Sequence, residues 1–131
     1  MLMIHLPNVA MAEYAKGMDF KDYQDKALAT DLFGGKPQPV TSPAFLEKLL
    51  GLVGETGEIA EKVKKIIRDK DGQVSEEARL DFVKELGDVL WYLSAVSSYL
   101  GIELQTVADT NIKKLADRQQ RGKLNGSGDN R

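Results

Sequence analysis

Apolar residues recur at intervals of three and four through most of the chain, and the two-residue alternation of strands is almost absent. The pattern predicts an all-α protein. Asp19 is placed to cap a first helix that runs to Leu32 and stops at Gly34-Gly35, and the Gly-Gly-Lys-Pro-Gln-Pro stretch that begins there reads as a linker. Ser42 before Pro43 is an N-cap with proline at the first helical position. That second helix extends to about Arg68 and ends in a turn over Asp69 to Gly72. Ser75 caps a third helix, Glu76 and Glu77 suit its N-terminal dipole, and Gly101 stops it after Leu100. A fourth covers Leu104 to about Gln120. Two long and two shorter helices predict a four-helix bundle. The expected organisation is an N-terminal extension over 1–18, one helical domain over 19–121 and a mobile, basic, glycine-rich tail over 122–131.

Placing residues at about 100° per residue locates the acids. On the second helix Phe45, Leu46, Leu49, Val53, Ile59, Ala60, Val63, Ile66 and Ile67 form one broad apolar face, with Glu55 and Glu58 on its margin. On the third, Phe82, Leu86, Val89, Leu93, Val96 and Leu100 form an apolar arc. Glu85 falls between Val89 and Tyr92 on that arc, and Asp88 lies one step outward. A carboxylate aimed at a bundle seam needs a partner. Residues at i and i+3 share a side of a helix, so Glu55-x-x-Glu58 and Glu85-x-x-Asp88 each present two carboxylates together, and facing helices would gather four. Either motif alone describes an ordinary solvated helix face. The two together require a cation, and a hard divalent metal with oxygen ligands, Mg²⁺ above all and Mn²⁺ as a substitute, would share them with a substrate phosphate. Gly51, Gly54 and Gly57 each cost about 1 kcal/mol relative to alanine inside a helix. They mark a face approached closely by a metal-bound ligand or by another helix.

Composition narrows the chemistry. A chain of 131 residues, 42% hydrophobic and 29% charged, suits one domain with a modest core. Cysteine is absent, which excludes disulfides, a thiolate nucleophile and zinc-thiolate sites. The single histidine, His5, reads as incidental. Its isolation removes Ser-His triads and the Glu-x-x-His motif of di-iron carboxylate bundles. A net charge of −2 argues against nucleic acid as a partner. No apolar run reaches the roughly 18 residues of a membrane span and no signal-peptide pattern is present, so a cytoplasmic location is expected.

The fourth helix supplies complementary charge. Asn111, Lys114 and Arg118 share a stripe that continues from Val107. Cations and an amide beside a carboxylate-metal cluster suit a polyphosphate, because the metal covers only part of its charge. Arg121, Lys123 and Arg131, set among Gly122, Gly126 and Gly128, form either a flexible lid over phosphates or a disordered end.

Three segments, GLVGETGEIAEKVKK, KELGDVLWYLSAVSSYLGI and NIKKLADRQQRGKLNGSGDNR, together resemble the MazG-type nucleotide pyrophosphohydrolases of the all-α NTP pyrophosphatase superfamily, over roughly residues 19 to 131. The resemblance implies Mg²⁺-dependent cleavage of a nucleoside triphosphate to the monophosphate and pyrophosphate, by a homodimer or homotetramer. Carried over by motif position, Glu55, Glu58, Glu85 and Asp88 would hold the metal. Asn111 and Lys114 would contact phosphates or sugar, with Arg118 beside them. The segment from Tyr23-Gln24 to Thr30 resembles the opening helix that lines the nucleotide pocket, which makes Gln24 a substrate contact. Trp91 and Tyr92 either line that pocket too or belong to aromatic packing. Many relatives carry a second glutamate where Gly54 stands, so here Glu55 or Glu58 would serve as base as well as ligand.

With no covalent nucleophile identified, water should attack directly, and Lys114 would stabilise charge in the transition state. The alternatives are a dUTPase-like enzyme or phosphoribosyl-ATP pyrophosphohydrolase of the same superfamily, and a non-catalytic helical oligomerisation module whose seam the glycines mark. A 14.5 kDa chain is too small to cover both faces of two such long helices, so an oligomer is expected in either case.

Overall fold

The computed structural model describes residues 17–125. Four helices, α1 (Phe20–Leu28), α2 (Pro43–Lys70), α3 (Glu76–Tyr99) and α4 (Leu104–Gln120), make up the fold, with no strand among the described residues. Most of the expected N-terminal extension, with His5, lies outside the described residues, as does the 126–131 part of the tail on which the lid reading depends. The caps are those the sequence marks: Asp19, Ser42 and Ser75 accept from the backbone N–H of Asp22, Phe45 and Ala78. α4 has no side-chain cap of its own. Its first N–H, on Leu104, donates instead to the buried Gln24 Oε1 at 2.8 Å, while Gln24 Nε2 donates to the carbonyls of Ser94 and Ile102. One α1 amide thereby ties α1 to both α3 and α4.

α1 ends at Leu28, not at Leu32. The cause is Asp31, whose carboxylate is drawn into the core and accepts from the Gly35 N–H at 2.9 Å and from the Tyr99 hydroxyl at 3.0 Å. Lys48 Nζ stands 3.5 Å from the same group and 3.1 Å from Glu47, above the Trp91 ring. Burial pushes the Asp31 carboxyl up, but the hydrogen bonds from Gly35 and Tyr99 and the charge of Lys48 outweigh it and hold the group below the usual carboxylate range. Trp91 Nε1 donates to the Ala27 carbonyl and to Thr30 Oγ1, which closes the end of α1 against α3. Trp91 is therefore committed to packing.

α2 and α3 run antiparallel across a turn in which Asp71 and Gly72 both take the left-handed conformation. Phe45 meets Tyr99 at one end of their seam, the Tyr92 ring lies over Gly51 in the middle, and Lys62 reaches Glu85 further on. A side chain at Gly51 would collide with Tyr92, whereas a methyl group at Gly54 or Gly57 would meet open space. Only one of the three glycines thus answers a close approach within the chain. The broad apolar face expected on α2 also divides. Phe45 is buried and Ile59 and Ile66 are half-buried against α3, but Leu46, Leu49, Val53, Val63 and Ile67 are exposed. On α3 the expected arc likewise turns partly outward, with Leu86, Leu93 and Leu100 exposed and Ser94, Ala95, Ser97 and Tyr99 innermost. The helix packs through small and polar residues because neighbours lie on three sides: α1, α2 and α4.

Asp31→Asn removes the charge that the Gly35 N–H, Tyr99 and Lys48 share in the core and leaves Lys48 to Glu47 alone, so it is expected to cost about 1–3 kcal/mol in urea unfolding at neutral pH. In the parent chain this stabilisation is complete above the ordinary aspartate value of 3.8 and is lost as pH falls through the depressed folded value. The variant should lack that acid limb. A loss below about 1 kcal/mol would show that Asp31 does not anchor the fold.

Candidate metal centre

Seven-residue spacing decides which acids reach the α2–α3 seam. Phe45, Leu52, Ile59 and Ile66 recur at that interval along α2, and beside them runs a second row, Lys48, Glu55 and Lys62. All seven are buried or half-buried. Across the seam α3 contributes Phe82, Glu85, Val89, Tyr92, Val96 and Tyr99, spaced alternately three and four and also buried or half-buried. Glu55 and Glu85 therefore belong to the helix-packing surface, and Glu58 stands one turn from Glu55 on the open margin.

Glu55, Glu58 and Glu85 each offer a carboxylate oxygen within 4.8 Å of the others. Partial burial, followed by the charges of Glu58, Asp88 and Glu85, pushes the Glu55 carboxyl up. Asp88 is exposed and stands outside the group of three converging oxygens, although its charge is felt at Glu55. It also faces the Tyr23 hydroxyl, which burial and Asp88 push up. One cation already touches the group: Lys62 Nζ, 3.4 Å from Glu85 Oε1.

The donor set fits a hard divalent cation. Oxygens bound at about 2.0–2.6 Å from one ion can lie up to some 4–5 Å apart, and three carboxylates without nitrogen or sulfur donors favour Mg²⁺, Mn²⁺ or Ca²⁺ over softer metals.

The chain matches the MazG nucleotide pyrophosphohydrolase domain over residues 45–122. It belongs to that family. The matched span runs from the start of α2 past the end of α4 and includes all four acids. The MazG chain is also 46% identical over 109 residues to the Gene 37 protein of Mycobacterium phage L5, a match covering 83% of this chain and 96% of that protein. No solved structure matches it.

The other expected site residues of this MazG domain are distributed unevenly. Asn111 is exposed and Lys114 half-buried. Both line a cleft of about 340 Å³ with Ile102, Thr106, Val107 and Thr110, and this cleft contains none of the four acids. α4 packs on α1 and α3 and makes no contact with α2 among the described residues. Arg118 is buried. Gln24 spends both ends of its amide on backbone groups. Tyr92 rests on Gly51 and meets Trp91 edge-on at 5.0 Å, so its ring is a packing element.

Lys62 escaped the motif search because it belongs to neither acidic motif. The signal was its place in the row Lys48, Glu55, Lys62.

Carboxylates held together repel, and a cation that binds them only in the folded chain stabilises it by about 2.7 kcal/mol at a hundred times its dissociation constant. The melting temperature is expected to rise with MgCl₂ well beyond the rise in NaCl of equal ionic strength. Glu55→Gln and Asp88→Asn should melt higher than the parent in EDTA yet gain little from Mg²⁺. Equal responses to the two salts would reduce the cluster to a screened surface patch.

Proposed function

We propose that this protein is a Mg²⁺-dependent nucleoside triphosphate pyrophosphohydrolase that releases a nucleoside monophosphate and pyrophosphate, and that it acts in the cytoplasm as a homodimer or a dimer of dimers. The observation that carries the reading is the convergence of Glu55, Glu58 and Glu85 within 4.8 Å of one another inside a MazG domain. These three, with Asp88, would hold the cation. When bound there, it would neutralise polyphosphate charge and acidify the attacking water.

The residues of the chain supply the rest. Glu55 and Glu58 are the candidates for general base, because both hold a carboxylate oxygen beside the position the cation would take. Gly54, where a second acid stands in many relatives, leaves that role to Glu55 or Glu58. Lys114 and Asn111 suit phosphate oxygens by charge and hydrogen bonding.

Their cleft and the acids are separate within one chain, so this reading has them meet across a subunit boundary. The exposed row of Leu46, Leu49, Leu50, Val53, Val63 and Ile67 gives a second copy an apolar surface along most of α2. At about 1.5 Å per residue, the 28 residues of α2 extend roughly 42 Å, and α3 covers one side of that length. The same surface would serve a non-catalytic oligomerisation module, but such a module has no use for three converging carboxylates.

A panel of ordinary and modified nucleoside triphosphates, with pyrophosphate release followed in Mg²⁺ and in EDTA, tests the activity directly. Replacing Glu55, Glu58, Glu85 or Asp88 by its amide is expected to reduce turnover by roughly a hundredfold or more, with helical content unchanged. Full turnover in two of the four variants would refute the assignment. Light scattering at micromolar concentration is expected to return two or four times 14.5 kDa. A single-subunit mass would exclude the cross-subunit arrangement.

A further inference from the structure

Lys62 lies one turn beyond Glu58 and two turns beyond Glu55 on the seam-facing side of α2. Its ammonium reaches across to Glu85 on α3, and the two side chains keep 33% and 15% of their exposure. Glu85 is also one of the three carboxylates whose oxygens converge. The ion pair is therefore made to an acid that the proposed site needs for its cation.

Two positive groups cannot share that small space without repulsion. With a divalent ion held by Glu55, Glu58 and Glu85, the Lys62 ammonium would leave Glu85, and its flexible four-carbon stem would let it move by rotamer change alone. The stem remains anchored in the seam, so the displaced charge stays within a few ångströms of the site. The strongest anion then within reach is the polyphosphate brought by the cation. A compact, fully charged ammonium on a long stem is well suited to phosphate oxygens.

We propose that Lys62 is a further phosphate-binding residue, which neutralises Glu85 when no cation is bound and transfers to the polyphosphate oxygens of the substrate when the cation takes its place. The inference rests on the nucleotide pyrophosphohydrolase reading above, and it gives Lys62 opposite effects on the two ligands.

Lys62→Met keeps the aliphatic stem in the seam and removes the charge. Isothermal titration should show Mg²⁺ alone binding the variant several-fold tighter than the parent. Mg²⁺-saturated inorganic tripolyphosphate should bind about tenfold weaker, the scale of one charge-assisted hydrogen bond. Lys62→Arg, which retains the charge, should stay close to the parent for both ligands, and Lys62→Gln carries the same test if the methionine variant does not fold. An ion pair that only staples α2 to α3 would lower the melting temperature without this opposed pair of shifts, and that result overturns the proposal. If the parent binds Mg²⁺ and tripolyphosphate but the variant matches it for either ligand, Lys62 is excluded and the activity stands. If the parent binds neither, the pyrophosphohydrolase reading falls with it.

Discussion

The structure depends on how charge is placed along the seam between α2 and α3. An ordinary helix pair fills such a seam with apolar side chains, but here every second row on α2 is Lys48, Glu55 or Lys62. Charges withdrawn from water must be paired. Lys48 is paired with Asp31 and Glu47, and Lys62 with Glu85. Glu55, between them, meets Glu58, Glu85 and the charge of Asp88. It has carboxylates for neighbours where the other two have opposite charges, and the position that electrostatics leaves unbalanced is the position at which a cation fits.

The same arrangement explains why so little of the chain is fully buried. Among the described residues the buried apolar set is Leu28, Phe45, Ala95, Tyr99 and Leu104, all at the end of the bundle where α1, α3 and the start of α4 meet. Order there relies on polar clamps: Asp31 with Tyr99, Lys48 and the Gly35 N–H, and Gln24 with backbone groups of α3, of α4 and of the turn between them. Exposed leucine, valine and isoleucine run along the outer face of α2 from Leu46 to Ile67, past the clamped end as well as towards the α2–α3 turn. Glu55 and Glu58 lie midway along the same helix, between the clamped end and the α2–α3 turn.

Much of this was legible in the residues, and the losses have definite causes. Helix caps and stops are local chemistry, so Asp19, Ser42, Ser75 and Gly101 read correctly. The end of α1 did not, because Asp31 answers to Tyr99 and Lys48, far along the sequence and close only in the fold. The i, i+3 spacing found the acids, and the helical wheel correctly turned Glu85 inward. Lys62 was missed because a lysine in a lysine-rich stretch resembles a solvated face. Gln24, Arg118 and Tyr92 were read as substrate contacts by position; in the fold Gln24 is hydrogen-bonded to the backbone of Ser94, Ile102 and Leu104, Arg118 is buried and Tyr92 lies over Gly51.

The sequence by itself determined where the helices start and the two acidic pairs, which depend on residues within a turn or two of one another, and the family, which is carried by motifs in order along the chain. Tertiary structure decided which faces were inward. Apolar periodicity favoured the row containing Leu46, Leu49 and Val53, whereas the α2–α3 pairing buried the row containing Lys48, Glu55 and Lys62. The reason is that one helix can carry two apolar faces for two different neighbours. Periodicity measures the combined demand of both neighbours, and only the fold assigns each face to a partner.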